Sequence, residues 1–166
     1  MNLNGTPVTT LAPEGTRAVV LFFAASDCPI SNRYIPEFTR LRQEFAGKGV
    51  QFLEVYPNPD DTAVRVQQHA AQFRDEASVL LDTEQSLVRM ARVTVTPEAA
   101  VFLRDENNLR EVYHGRIDDR YLAVGSERQH ALHHDLEAAI SSALESRPVP
   151  QPGGPAVGCA IVTRQP

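Results

Sequence analysis

Two cysteines, Cys28 and Cys159, are the chain's whole stock. So few exclude a disulfide scaffold, and their wide separation argues against a zinc knuckle. Lysine and arginine form no run, and the net charge is −5, which argues against a surface built for nucleic acid or an anionic membrane. The longest apolar stretch, Ala18 to Ala25, is far too short to cross a bilayer, so no membrane insertion is expected. The opening residues "MNLNGTPVTT" have neither the basic nor the apolar segment of a signal peptide, and no internal repeat is present. What remains is an acidic chain of 166 residues, 42% of them apolar, enough to bury one ordinary core.

Residues 17 to 25 read as a continuous apolar strand of the kind covered on both faces. After Cys28, the residues Ile30, Tyr34, Phe38, Leu41 and Phe45 recur at helical spacing. Pro29 suits the first turn of that helix, Pro36 falls inside it as an expected kink, and Gly47 and Gly49 end it. "VQFLEVYP" is a second strand. Asn58, Pro59, Asp60 and Asp61 then form a helix start, the helix running to about Phe73. "ASVLLD" is a short strand whose Asp82 caps a helix carrying Leu87, Val88 and Ala91. "PEAAVFLR" and "LREVYHG" flank "DENN" as an antiparallel hairpin, with Asp and Asn supplied for left-handed turn positions. A last helix is expected from about Gln129 to Ser146, with Leu132, Leu136, Ala139, Ile140 and Leu144 inward. From Arg147 the sequence turns rich in proline and glycine, which predicts a flexible or extended arm that builds no core. The expected order is β-α-β-α-β-α-β-β-α, parallel strands joined by helices and closed by a hairpin.

A cysteine at a helix N-terminus lies at the positive end of the macrodipole, beside unpaired backbone N–H groups, and both favour the thiolate. Cys28 is followed by Pro29, by Ser31 three positions on and by Pro36 eight positions on. "VTVTP" places Thr96 and Pro97 where the hairpin strand begins. This set resembles the thioredoxin-like superfamily, whose motif is a C-x-x-C or C-x-x-S turn opening the first long helix, a helix proline eight residues after the first cysteine, and a proline, usually cis, opposite. More narrowly, "CPISNRYIPEF", "VTVTPEA", "GRIDDRY" and the terminal "VGC" resemble bacterial redoxin-domain proteins of the alkyl-hydroperoxide-reductase/thiol-specific-antioxidant kind.

The resemblance, spanning about Ala18 to Ser146, implies an α/β thioredoxin fold: a central mixed sheet flanked by helices, with an inserted helix after the second strand. It implies a thioredoxin-like domain over residues 1–146 and a Pro/Gly-rich C-terminal tail over 147–166. The activity implied is thiol–disulfide exchange at a CxxS site. Cys28 is the nucleophile, Ser31 the hydrogen-bonding partner of its thiolate, and Thr96 with Pro97 the substrate-side wall. No metal or organic cofactor is implied, and the partner is a protein disulfide or a small thiol or peroxide. Export as part of a longer precursor is expected, with a cytoplasmic location as the alternative.

Departures from the pattern shape the chemistry. Asp27 stands where tryptophan is usual and opposes a thiolate, with Arg33 expected to offset it. Strand "RAVVLFF" has no buried acid to relay protons. Ser31 makes a disulfide inside the motif impossible, so a mixed disulfide at Cys28 is resolved by external thiol or by Cys159. Cys159 is therefore either a redox partner brought in by the arm or a free tail thiol. In the peroxidase pattern P-x-x-x-[TS]-x-x-C, Leu21 and Ala25 occupy the proline and hydroxyl positions and Ser26 lies one place off. A peroxidase with Cys159 as resolving cysteine is one alternative, and a non-catalytic binding module is another. Arg116, Asp118, Asp119 and Arg120 of "GRIDDRY" read as a surface salt-bridge cluster or as a source of an arginine facing Cys28. His130, His133 and His134 are expected on an exposed helix face without a metal, and His69 and His114 in solvent.

Overall fold

The computed structural model describes residues 1–73, 78–106 and 108–162. Its centre is β1 (Ala18–Phe23), every residue of which is buried. A strand covered on both faces needs apolar side chains at every position, and the pleat then divides them. Val20 and Phe22 enter one core cluster, while Val19, Leu21 and Phe23 enter the other. On one side β1 pairs in parallel with β2 (Val50–Tyr56), which pairs in parallel with β3 (Ser78–Leu81). Ala77, the first residue of the expected "ASVLLD" strand, lies outside the described residues. On the other side β1 pairs antiparallel with a later strand, Glu98–Asp105, and that strand with Asn108–Gly115. Between β3 and this hairpin lies the two-residue β4 (Val95–Thr96). The hairpin strands are therefore β5 and β6, and the sheet order is β3-β2-β1-β5-β6.

Helix α1 (Pro29–Glu44) lays Ile30, Tyr34, Phe38 and Leu41 on the first core cluster, with Pro36 inside it. The Phe38 ring stacks on Phe22 at 4.6 Å between centroids and meets Phe52 of β2 edge-on at 5.5 Å. Such pairs add about 0.5–1.5 kcal/mol beyond their burial. Helix α2 (Ala63–Phe73), inserted between β2 and β3, contributes Val66 to the same face, and α4 (Asp135–Leu144) adds Leu136, Ala139 and Ile140. The short α3 (Ser86–Ala91) covers the opposite face with Val88 and Ala91. None of the helices among the described residues is long and apolar enough to cross a membrane.

Three elements differ from the sequence-based expectation, two of them because a side chain turns to a partner elsewhere in the chain. α2 begins at Ala63 rather than at Asn58–Pro59, because the Asn58 carboxamide accepts the Val162 N–H and Asp61 turns inward to Ser26. α4 begins at Asp135 rather than near Gln129. The Asp119 carboxylate accepts the N–H groups of Leu132 (2.6 Å) and His133 (2.9 Å), which holds that segment out of the helix and leaves Leu132 69% exposed. The residues 121–127 also form a small hairpin, β7 (Tyr121–Ala123) and β8 (Ser126–Glu127). In the "DENN" turn the left-handed residue is Glu106, with φ of 50°, and Asn107 lies outside the described residues.

The described part of the tail, to Val162, is without helix, but the expectation that it builds no core fails at Ile161. Cys159–Ala160 forms β9, antiparallel to β4, and Ile161 is buried in the second core cluster. Upstream, Pro152 lies over Gly115, where an added Cβ would come within 2.8 Å of it. The Gly153 N–H donates to Asp135, which also holds Arg116.

Asp82 caps α3 as expected: its carboxylate accepts the N–H groups of Ser86, Leu87 and Val88 at 2.9–3.0 Å and the Ser86 hydroxyl at 3.0 Å. Replacing it leaves those donors unpaired in a largely buried place. Asp82→Ala is expected to cost about 2 kcal/mol in urea unfolding of the oxidised protein, within the usual range for lost caps. An unchanged midpoint would contradict this role.

Candidate active site

β1 delivers the chain to the N-terminus of α1, where Cys28 is the N-cap residue, its backbone extended (φ −88°, ψ 111°). Its carbonyl accepts the Asn32 N–H at 3.0 Å, the first bond of the helix, and Pro29 at the next position loses no bond by lacking an N–H. Cys28, 1% exposed, therefore sits at the positive end of a helix of 16 residues. Opposite stands Thr96, fully buried, followed by a cis peptide bond to Pro97. The Thr96 carbonyl oxygen is 3.2 Å from Cys28 Sγ.

Cys28 is bonded to Cys159 in a disulfide with a Cα–Cα separation of 6.1 Å, within the ordinary range. Sequence alone left Cys159 either a partner or a free thiol, and the structure pairs it. The approach is guided by backbone: Thr96 faces Cys159, Val95 faces Ala160, and the Ile161 N–H donates to Thr94 O at 3.1 Å. Gly158 permits it, since a Cβ there would stand 2.1 Å from the Thr96 carbonyl oxygen. A cleft of about 450 Å³, walled by Ile30, Tyr121 and Val124, opens beside Cys159.

Ser31 is fully buried on the first turn of α1, and its hydroxyl oxygen accepts the Ala25 N–H at 3.4 Å. It thus ties the β1–α1 turn together. Arg33, expected to offset Asp27, forms an ion pair instead with Glu127 at 2.7 Å, because β8 brings that glutamate alongside. The cation beside Asp27 is Arg65 of α2, at 4.0 Å.

"GRIDDRY" is not a surface cluster. Asp118 and Asp119 are buried, Asp118 accepts the Tyr34 hydroxyl, and Arg116 is committed to Asp135 at 2.8 Å. His130, His133 and His134 precede α4 rather than riding on it. Among the described residues, the ligand-type groups that gather there are Glu37, His134 and Glu137, and Arg40 pairs with both glutamates. His69 is buried rather than solvated: its Nδ1 shares a hydrogen bond with the Tyr56 hydroxyl at 2.9 Å, and its Nε2 meets Asn32 Oδ1 at 2.7 Å. Burial pushes its pKa down. His114 is partly buried against Glu111 at 2.9 Å.

Acids are buried on other elements. Asp61, 3% exposed, takes the Ser26 N–H and hydroxyl on one carboxylate oxygen, and its other oxygen has no hydrogen-bond partner among the described residues. Burial pushes its pKa up, and Ser26 and Arg65 pull against that rise. Glu54 is buried in β2 and accepts the Tyr56 hydroxyl at 2.8 Å. The pair Asp60–Asp61 was visible in sequence as a helix-capping signal, and nothing in its spacing separated an inward from an outward acid.

Residues 1–112 match the AhpC/TSA family. A search of the curated proteins gives no match. Among solved structures, an uncharacterised protein of Geobacillus kaustophilus is 26% identical, with a TM-score of 0.80 over 99% of this chain and 87% of that one. A hypothetical protein of Sinorhizobium meliloti is 24% identical, with a TM-score of 0.76 over 89% and 80%. A secreted disulfide oxidoreductase of Mycobacterium tuberculosis, described as homologous to DsbE of E. coli, is 15% identical, with a TM-score of 0.56 over 88% and 92%. The sheet order, the helix N-terminal cysteine and the facing cis-proline are those of the thioredoxin fold.

Because Ser26 and Arg65 both lower the Asp61 pKa, Ser26→Ala and Arg65→Ala should each raise the carboxyl titration midpoint, followed by NMR of the Asp61 side-chain carbon. The raised folded pKa means that ionised Asp61 costs stability above its unfolded pKa, a cost removed as pH falls through the folded pKa. A midpoint that falls in either variant would contradict the described surroundings.

Proposed function

This chain belongs to the AhpC/TSA family, and on that premise we propose that it is a thiol–disulfide oxidoreductase whose redox pair is Cys28 and Cys159. The observation that carries the reading is the position of the disulfide: one sulfur at the N-terminus of α1, the other brought to it by the end of the chain. In this reading residues 1–146 form the thioredoxin-like domain, and residues 147–166 form a tail that supplies the second cysteine.

The reduced Cys28 thiolate is favoured by the helix macrodipole and the unpaired N–H groups of the first turn. It attacks one sulfur of a substrate disulfide. The Cys28–substrate bond forms, the substrate S–S bond breaks, and the other substrate sulfur leaves as thiolate and takes a proton from solvent. The Cys159 thiolate then attacks the Cys28 sulfur and expels the remaining substrate thiolate. The substrate gains two electrons and the Cys28–Cys159 pair loses two. Ser31 closes the CxxS turn, and in this reading its hydroxyl is the hydrogen-bonding partner of the thiolate. Thr96 and Pro97 form the wall against which the exchanging sulfurs line up.

A peroxidase would arrive at the same disulfide through a sulfenic acid at Cys28. The family match favours that second reading. Against it, Ser26 is already committed to Asp61, Arg33 to Glu127 and Arg116 to Asp135.

The test is chemical trapping. Reduced Cys159→Ser protein incubated with a small disulfide should accumulate a mixed disulfide on Cys28, located by peptide mass mapping, while reduced wild type proceeds to the intramolecular bond. No adduct on Cys28 would overturn the oxidoreductase reading. Turnover of hydrogen peroxide by wild type, lost in Cys28→Ser, would move the assignment to peroxidase.

A further inference from the structure

The segment that carries Cys159 is bound as a peptide is bound. Its backbone adds to β4, its Ile161 side chain is 7% exposed within a core cluster beside Val93, and its next residue is clamped from both sides. Gln85 donates its carboxamide N–H to Val162 O at 2.6 Å, and Asn58 Oδ1 accepts the Val162 N–H at 3.1 Å. Gln85 is itself buried, and the same Nε2 reaches Pro57 O at 3.2 Å, so its position does not depend on the tail alone. One step before the cysteine, the Thr96 carbonyl leaves room only for glycine. These are subsites in register with a sulfur: a stop at the preceding residue, an apolar socket two residues on, and a backbone clamp three residues on.

We infer that the Thr94–Thr96 edge with Gln85, Asn58 and the Ile161 socket is a recognition site for extended cysteine peptides of the form Gly-Cys-x-aliphatic, which the protein's own tail occupies in the oxidised state. The inference rests on the proposed thiol–disulfide exchange and gives its substrate class. Substrate and tail compete for one edge. When the Cys159 thiolate attacks the Cys28–substrate disulfide, Gly158–Val162 return to β4 and the substrate segment is displaced in the same event. Strand addition gives affinity through the main chain, and the two side-chain constraints give selectivity.

The test uses the full-length reduced protein and three peptides copying residues 156–162, AVGCAIV, each with its cysteine in a mixed disulfide with 2-mercaptoethanol. One has the natural sequence and the others carry the changes Gly158→Leu or Ile161→Asp. Bis(2-hydroxyethyl) disulfide serves as a substrate with no peptide. At subsaturating concentration the natural peptide should be reduced at least tenfold faster than either variant, because one change places a side chain against a carbonyl and the other places a charge in an apolar socket. If the three peptides react alike, or not at all, while the small disulfide is reduced, the recognition site is refuted and the oxidoreductase reading stands. If the small disulfide is not reduced either, both fall.

Discussion

The bond between Cys28 and Cys159 is the constraint on which the rest of the site depends. It joins residues 131 apart and fastens the end of the chain across the edge of β4. In the chain-entropy account a closed loop of this size removes roughly 5 kcal/mol of freedom from the unfolded chain. That gain is comparable with the whole net stability of an ordinary domain. The bond is not the tail's sole attachment: Pro152 on Gly115, Gly153 on Asp135, and Ile161 in the core hold the segment before and after the cysteine. The thiol is thus delivered by packing and hydrogen bonds, and the covalent step completes an arrangement that the backbone already favours.

Electrostatics around the sulfur follows from what the helix terminus supplies and from what neighbouring charges are occupied with. Arg33 and Arg116 are each spent on a carboxylate of another element, and Arg65 stands at 4.0 Å from Asp27. In the proposed reading, a reduced Cys28 draws on the macrodipole and first-turn N–H groups of α1. Asp61, held protonated more readily than an exposed acid, gives the neighbourhood of Ser26 and Asp27 a titratable group that β1 itself does not carry.

Much of this was legible in the sequence because it depends on local signals. The apolar run at 17–25, the helical spacing from Ile30 to Phe45 and the Asp82 cap each specify an element without reference to distant residues. The order of residues around Cys28 and the Thr96–Pro97 pair carried the resemblance from which the fold followed. What sequence could not place were partnerships across long separations. Asp119 unwinding the residues before α4 and Asn58 turning to Val162 both override a sound local helix signal with a hydrogen bond to a remote segment. The same holds for the tail. Its proline and glycine content specifies an extended chain, but only the fold shows that Gly158 and Ile161 fit the β4 edge and a socket in the core. His69 was misplaced in solvent because a lone histidine on a helix gives no sign of its partners on other elements, Tyr56 of β2 and Asn32 of α1.

The most direct test of the central claim is the intact mass of the full-length protein as it is cycled between oxidised and reduced glutathione, with every free thiol alkylated at each step. A monomer that loses two daltons on oxidation, protects both cysteines from alkylation, and regains two alkylated thiols on reduction, with mapping to a Cys28–Cys159 cross-link, is the result predicted. Two cysteines that remain alkylable under oxidising conditions, or that form only intermolecular links, would contradict it.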